Sequence, residues 1–298
     1  MTELAEILPP QLEALSHTHV QSGGDMKVIN DNNRSSLYFP VELAPVESEG
    51  VIIPGWNALK RSDTGDHLFV HKKTYQLVSN EEVYSNFDLA LTEAGLMAGN
   101  VEVKDELSHN GLRAFRQYIF KDYTIDPGDG NEVALRLVVF NSYDGSTSFR
   151  ARIGGYRFIC SNGCITGKDL LNISQKHTKG FELEKITEKV AEAPALFFEQ
   201  EARWKSWQKV NMTTEDSIAL FKKLPLASER LTDNLTRRLV ESHYGHQNLW
   251  DVYNILTNWA SHDKATTNTP SVVAQREERV CRLTNSHSWM QFEIPQAA

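Results

Sequence analysis

The sequence predicts an α+β fold: a central antiparallel sheet built as a meander, an N-terminal helix before it, and a helical C-terminal half. Three observations carry this reading. Turn dipeptides separate consecutive extended segments between residues 111 and 160, which favours antiparallel pairing. A serine-capped segment of helical character precedes them. After Phe181 the apolar residues adopt helical spacing, as at Leu183, Ile186 and Val190.

Along the chain, residues 1–48 are polar and irregular, with Pro9-Pro10 and glycine and asparagine clusters, and read as an N-terminal arm with one short helix near Gln11 to Ser16. Residues 49–180 read as the α+β sheet domain and residues 181–298 as a helical region packed on it. Leu68 to Val78 is strand-like. Ser79 with Glu82 three residues on forms a capping-box arrangement opening a helix to about Ala94, with Gly95 and Gly99 ending it. Gly111 to Tyr123, Glu132 to Asn141 and Thr147 to Cys160 then form the meander, joined by turns at Asp126-Pro127-Gly128-Asp129-Gly130 and at Asp144-Gly145. Gly167 to Ser174 adds a further strand. The expected helices are Phe181 to Val210, broken at Pro194, then Thr214 to Leu224, Glu229 to Tyr244, Leu249 to Trp259 and Ser271 to Leu283. Trp204, Trp207, Trp250 and Trp259 fall at core spacings.

The chain has 298 residues, a net charge of −8 and three cysteines. That length supplies ample core. No apolar run reaches the roughly 20 residues that span a bilayer, and the first residues lack the pattern of a signal peptide. Cysteines this sparse do not make a disulfide framework, so the expectation is a cytoplasmic protein with no membrane partner. The acidic balance disfavours coating duplex DNA by bulk charge, while leaving room for a local basic groove.

Two motifs stand out. The first is Asn141-Ser142-Tyr143-Asp144-Gly145-Ser146; the second is Tyr156-Arg157-Phe158-Ile159-Cys160-Ser161-Asn162-Gly163. With His177-Thr178 and the helix Leu249-Trp250-Asp251-Val252-Tyr253-Asn254-Ile255-Leu256-Thr257, they resemble, in order, the phage/plasmid-like proteins of the domain of unknown function 932 family. Tyr143 stands where that family commonly carries histidine, which weakens any catalytic or metal role for the turn. The resemblance implies a protein carried by a phage or other mobile element and supplies no activity.

The motif residues Asn141, Asp144, Gly145, Cys160, Asn162, Gly163 and His177 have bland readings beside functional ones. Asn141 and Asp144 are expected to bond their own turn backbone. Cys160 and Cys164 could offer zinc two thiolates, yet no further Cys or His pair follows at a usual interval, so no metal and no cofactor is expected. His177 reads as a structural or loop histidine. No phosphate loop, dinucleotide fingerprint, zinc-protease motif or nucleophile elbow occurs, so the case for an enzyme is weak.

One feature points elsewhere. Between Thr147 and Gly180 the charged residues are Arg150, Arg152, Arg157, Lys168, Lys176 and Lys179 against Asp169 alone, a local reversal of sign. Arg150 and Arg152 share one strand face. Arg113 and Arg116 lie on another strand, with Tyr118 and Tyr156 as candidate stacking rings. Guanidinium groups beside aromatics suit single-stranded nucleic acid. The expected function is therefore a nucleic-acid-associated protein, binding or annealing single-stranded DNA in replication or recombination, as a possible homo-oligomer. Two competing readings stay open. The arginines pair with acids from the helical half, or the protein binds a host protein in host takeover or counter-defence.

Overall fold

The computed structural model describes residues 37–146, 148–158, 162–164, 173–175, 188–242, 247–263 and 269–293. The architecture is α+β. Three strands come first: β1 (Val41–Ser48), β2 (Val51–Arg61) and β3 (His67–Lys72), paired antiparallel in that order. Helix α1 (Asn80–Glu93) follows, with Ser79 Oγ accepting from the Glu82 N–H at 3.0 Å, as its capping sequence predicts.

The central sheet contains β4 (Val101–Ser108), β5 (Arg113–Ile125), β6 (Val133–Ser142), β7 (Phe149–Arg157), β8 (Asn162–Cys164) and β9 (Ile173–Gln175). Strands β4 to β7 form an antiparallel meander, and the short β8 and β9 both pair with β7. Every residue of β6 is buried, as expected of a strand covered on both faces. One sheet face carries Val103, Tyr118, Leu137, Val139 and Ile153, which join Val83, Tyr84 and Phe87 of α1 in the main core.

The C-terminal half is helical: α2 (Ala193–Phe198), α3 (Gln200–Trp207), α4 (Thr214–Lys223), α5 (Glu229–Ser242), α6 (Leu249–His262), α7 (Pro270–Thr284) and α8 (His287–Glu293). A two-stranded ribbon of β10 (Asn211–Met212) and β11 (Gln247–Asn248) sits between them. Trp204, Trp207, Trp250 and Trp289 are fully buried and stack edge-on or tilted, with centroids 5.2–6.4 Å apart. Trp259 is buried as well. Asn248 caps α6 with a full capping box to Asp251.

The structure differs from the sequence reading in the arm, after Leu68 and at Pro194, among other places. Strand β1 occupies part of the segment read as an arm, while residues 1–36, including the short helix near Gln11, lie outside the described residues. The extended segment after Leu68 ends at Lys72, because the chain turns at Lys73 and Thr74 instead of running on to Val78. Pro194 does not break a helix: it sits in the first turn of α2, where its missing N–H has no intrahelical partner to lose.

The β1–β2 hairpin extends past β3 and keeps large apolar side chains in water. Val51 is 68% exposed and Ile52 is 53% exposed, with Trp56 on the same hairpin, and Phe69 and Val70 of β3, also open. A two-stranded ribbon carrying this much apolar surface is marginal alone in water.

Candidate functional site

Helix α7 lies across the second face of the central sheet, where Ala274 packs on Val138 and Phe140. It delivers two consecutive carboxylates, Glu277 and Glu278, one to each flank. A cleft opens on either side.

On the β7 flank, Arg150 and Arg152 stand two residues apart and project together, as strand alternation requires. Arg152 Nη2 donates to Glu278 Oε2 at 2.7 Å and Arg150 Nη1 to the same oxygen at 3.4 Å. Arg282, one helical turn beyond Glu278, donates to its other oxygen at 2.5 Å. Three guanidinium groups thus share a single carboxylate, leaving two positive charges uncompensated among the described residues. The cleft they line has a volume of about 230 Å³, with Phe140, Ser146 and Ser271 also on its wall. Arg152 is only 5% exposed, and its Nε and that of Arg150 are buried with no hydrogen-bond partner among the described residues. An orphaned buried donor costs about 1–3 kcal/mol, more when charged. Ser271 lies in the first turn of α7, whose helix dipole adds positive potential there.

Burial pushes the Glu278 carboxyl up, but the hydrogen bonds and charges of Arg152 and Arg282 outweigh it and hold the carboxyl below the usual glutamate range. A group with a depressed folded pKa stabilises above its unfolded value and loses that contribution as the pH falls. Thermal unfolding midpoints should therefore drop as the pH goes below about 4.3, the ordinary glutamate pKa. Glu278→Gln should flatten that part of the profile; an unchanged slope in the variant would show the pairing contributes nothing.

On the β4–β5 flank, a polar cleft of about 300 Å³ is floored by a buried ion pair. Arg136 Nη1 donates to Glu277 Oε1 at 2.7 Å, and Arg136 Nε donates to Gln117 Oε1 at 2.7 Å. Gly163 closes over this pair: a Cβ there would lie 2.0 Å from both Arg136 Nη1 and Glu277 Oε1. Its N–H donates to Ser261 Oγ at 3.1 Å. The motif glycine is thus demanded by a close approach. Lys104, held by Glu102, packs over the Tyr156 ring at 5.3 Å on the same flank. Phe115 and Phe140, with centroids 5.0 Å apart, separate the two clefts.

The other arginines named from the sequence do not join this cluster. Arg116 projects from the opposite face of β5, fully buried, and donates to Asp105 and Asp88 while Tyr38, Tyr84 and Tyr118 surround it. Tyr118 is buried too and offers no surface for a base. Arg113 bonds Asp144 at 2.8 Å, and Arg157 bonds Asp129, which also accepts from the Trp250 indole at 2.9 Å. Acid pairing with the helical half thus holds for Arg150 and Arg152. For Arg113, Arg116 and Arg157 the acids come from the sheet domain itself.

The turn residues divide. Asp144 Oδ1 accepts from the Ser146 N–H, and Gly145 has φ of 65°, so this is a true turn. Asn141 instead reaches out of its strand, donating to the Val78 carbonyl and to Asn80 Oδ1 at the start of α1. The Tyr143 hydroxyl accepts from the Asn80 N–H at 2.7 Å, and its carbonyl bonds His71. Asn162 opposes Arg157 in the β7–β8 pairing. Lys168, Lys176, Lys179, Cys160 and His177 lie outside the described residues.

Sequence reasoning missed Arg136, Glu277, Glu278 and Arg282. The available signal was Arg136 itself, a lone charge in the apolar run Val133-Ala134-Leu135-Arg136-Leu137-Val138, where a buried ion needs a partner.

The fold and the paired clefts define an α+β protein in which helix α7 covers an arginine-bearing sheet. The chain matches the family model described as Domain of unknown function (DUF932) over residues 67–286, most of its length, and it belongs to that family. Neither curated proteins nor solved structures give a match to this chain. Among the described residues, no helix is long and apolar enough to cross a membrane.

Proposed function

We propose that this protein associates with nucleic acid, gripping the phosphates of a single strand at the Arg150–Arg152–Arg282 cleft in the replication or recombination of a phage or other mobile element. The observation that carries the reading is the excess of guanidinium over carboxylate in a recess with unsatisfied buried donors. A phosphate is the common biological anion that accepts several guanidinium bonds at once. An unpaired strand is flexible enough to turn a phosphate into a recess of this size.

The test is fluorescence anisotropy with labelled single-stranded oligonucleotides at low salt. Binding should weaken with the logarithm of salt. Arg282→Ala, a change on the exposed rim, should lower affinity by about ten-fold, the loss expected of one charge-assisted contact. Absence of binding at low salt rules the reading out.

The exposed apolar hairpin favours a second reading, a module that binds a host protein. Its discriminating experiment is capture from a host lysate with and without nuclease. A partner retained after nuclease and lost with Ile52→Ser supports it.

A further inference from the structure

Resting on the nucleic-acid reading, we infer that the Arg150–Arg152–Arg282 cleft is built for a terminal phosphate, a phosphomonoester dianion, rather than for the phosphodiesters within a strand. Charge is the first ground. Arg150, Arg152 and Arg282 against Glu278 alone leave two positive charges among the residues that line the recess. A phosphodiester brings one negative charge and two free oxygens. A phosphomonoester brings −1.5 to −2 at neutral pH and three acceptor oxygens. Only the second neutralises the site.

Shape points the same way. The cationic side chains differ in depth: Arg152 is almost fully buried, the Arg150 side chain is 30% exposed and the Arg282 side chain is 65% exposed. The Nε groups of Arg152 and Arg150 are buried and have no hydrogen-bond partner among the described residues. A phosphate with chain continuing on each side would have to thread between β7 and α7, which Ala274 and Arg152 already hold together through an Arg152-to-Ala274-carbonyl bond of 3.3 Å. Arg282, on the rim, is placed to close over an oxygen that remains outside.

Beyond the phosphate, Phe140 walls the recess, and its neighbour Phe115 opens onto the polar cleft of the other flank. The same chemistry is presented by the phosphorylated end of a strand and by a free mononucleotide, and the experiment separates them.

Anisotropy should be measured for one labelled oligonucleotide in three forms: hydroxyl at both ends, 5′-phosphate, and 3′-phosphate. Adenosine monophosphate and inorganic phosphate serve as competitors. The expected result is at least about ten-fold tighter binding of a phosphorylated form at pH 7.5, one charge-assisted bond's worth. That preference should shrink below about pH 6, where the phosphate takes up its second proton. Arg282→Gln should remove the preference while leaving the thermal midpoint nearly unchanged. Equal binding of all three forms overturns the inference and leaves the strand reading intact. Binding of adenosine monophosphate with none of any oligonucleotide keeps the phosphomonoester site and rejects the strand reading. No binding of either rejects both.

Discussion

Glu277→Ala will destabilise the protein by about 3–5 kcal/mol, the cost of stranding a buried charge. The side chains of Arg136 and Glu277 are 6% and 3% exposed, so no solvent can take the place of the lost carboxylate. Gln117 would still accept from Arg136 Nε, but a neutral amide cannot balance a guanidinium. Gly163→Ala should come close to the same loss by another route: its methyl must displace either partner or lift β8 off the sheet. Replacing both charges, as Arg136→Met with Glu277→Leu, removes both desolvation penalties and should recover most of the stability. Guanidinium denaturation of the four proteins decides the matter. A loss below about 1 kcal/mol for Glu277→Ala, typical of an exposed pair, would show the pair to be solvated in solution.

The second large effect belongs to Arg116. Its Nε and Nη2 donate to the two Asp105 oxygens at 2.6 and 2.8 Å, and Nη1 donates to Asp88 at 2.9 Å. Burial would pull this guanidinium down, but Asp105, Tyr118 and Asp88 together hold its pKa above the ordinary arginine value. Asp105→Ala removes the bidentate partner and should cost about 3 kcal/mol, because Asp88 supplies only partial compensation. Asp88→Ala should cost less, about 1 kcal/mol, since that side chain is 27% exposed and leaves the fork with Asp105 intact. The ranking is the prediction. An Asp88 variant weaker than the Asp105 variant would reverse the assignment of the dominant partner.

The meander was legible because its turns are written locally. Asp126-Pro127-Gly128 and Asp144-Gly145 announce themselves within a few residues, and the flanking segments alternate or run apolar. Strand β2 was not legible for the opposite reason. Pro54 and Gly55 interrupt it, and its first half is exposed on both faces, so no two-residue period appears. Helix α8 is too short for a periodic pattern to emerge from seven residues. At the candidate site the cations could be read and their counter-ions could not. Arg150 and Arg152 are obvious in a strand, yet Glu278 follows 128 and 126 residues later, and nothing local ties it to them. The separation of Arg116 from that cluster follows from strand parity: residues on different strands share a face only when register allows, and register is a property of the folded sheet.

The spacing between Arg136 and Glu277 has a consequence for biosynthesis. These partners are 141 residues apart, so a ribosome working at about 5–20 residues per second completes β6 roughly 7–28 s before Glu277 is made. During that interval a nascent sheet holds Arg136, Arg150 and Arg152 without the acids that later cover them. Translation therefore leaves these arginines without their partner carboxylates until α7 clears the exit tunnel, and a stop codon upstream of Pro270 would leave them so for good.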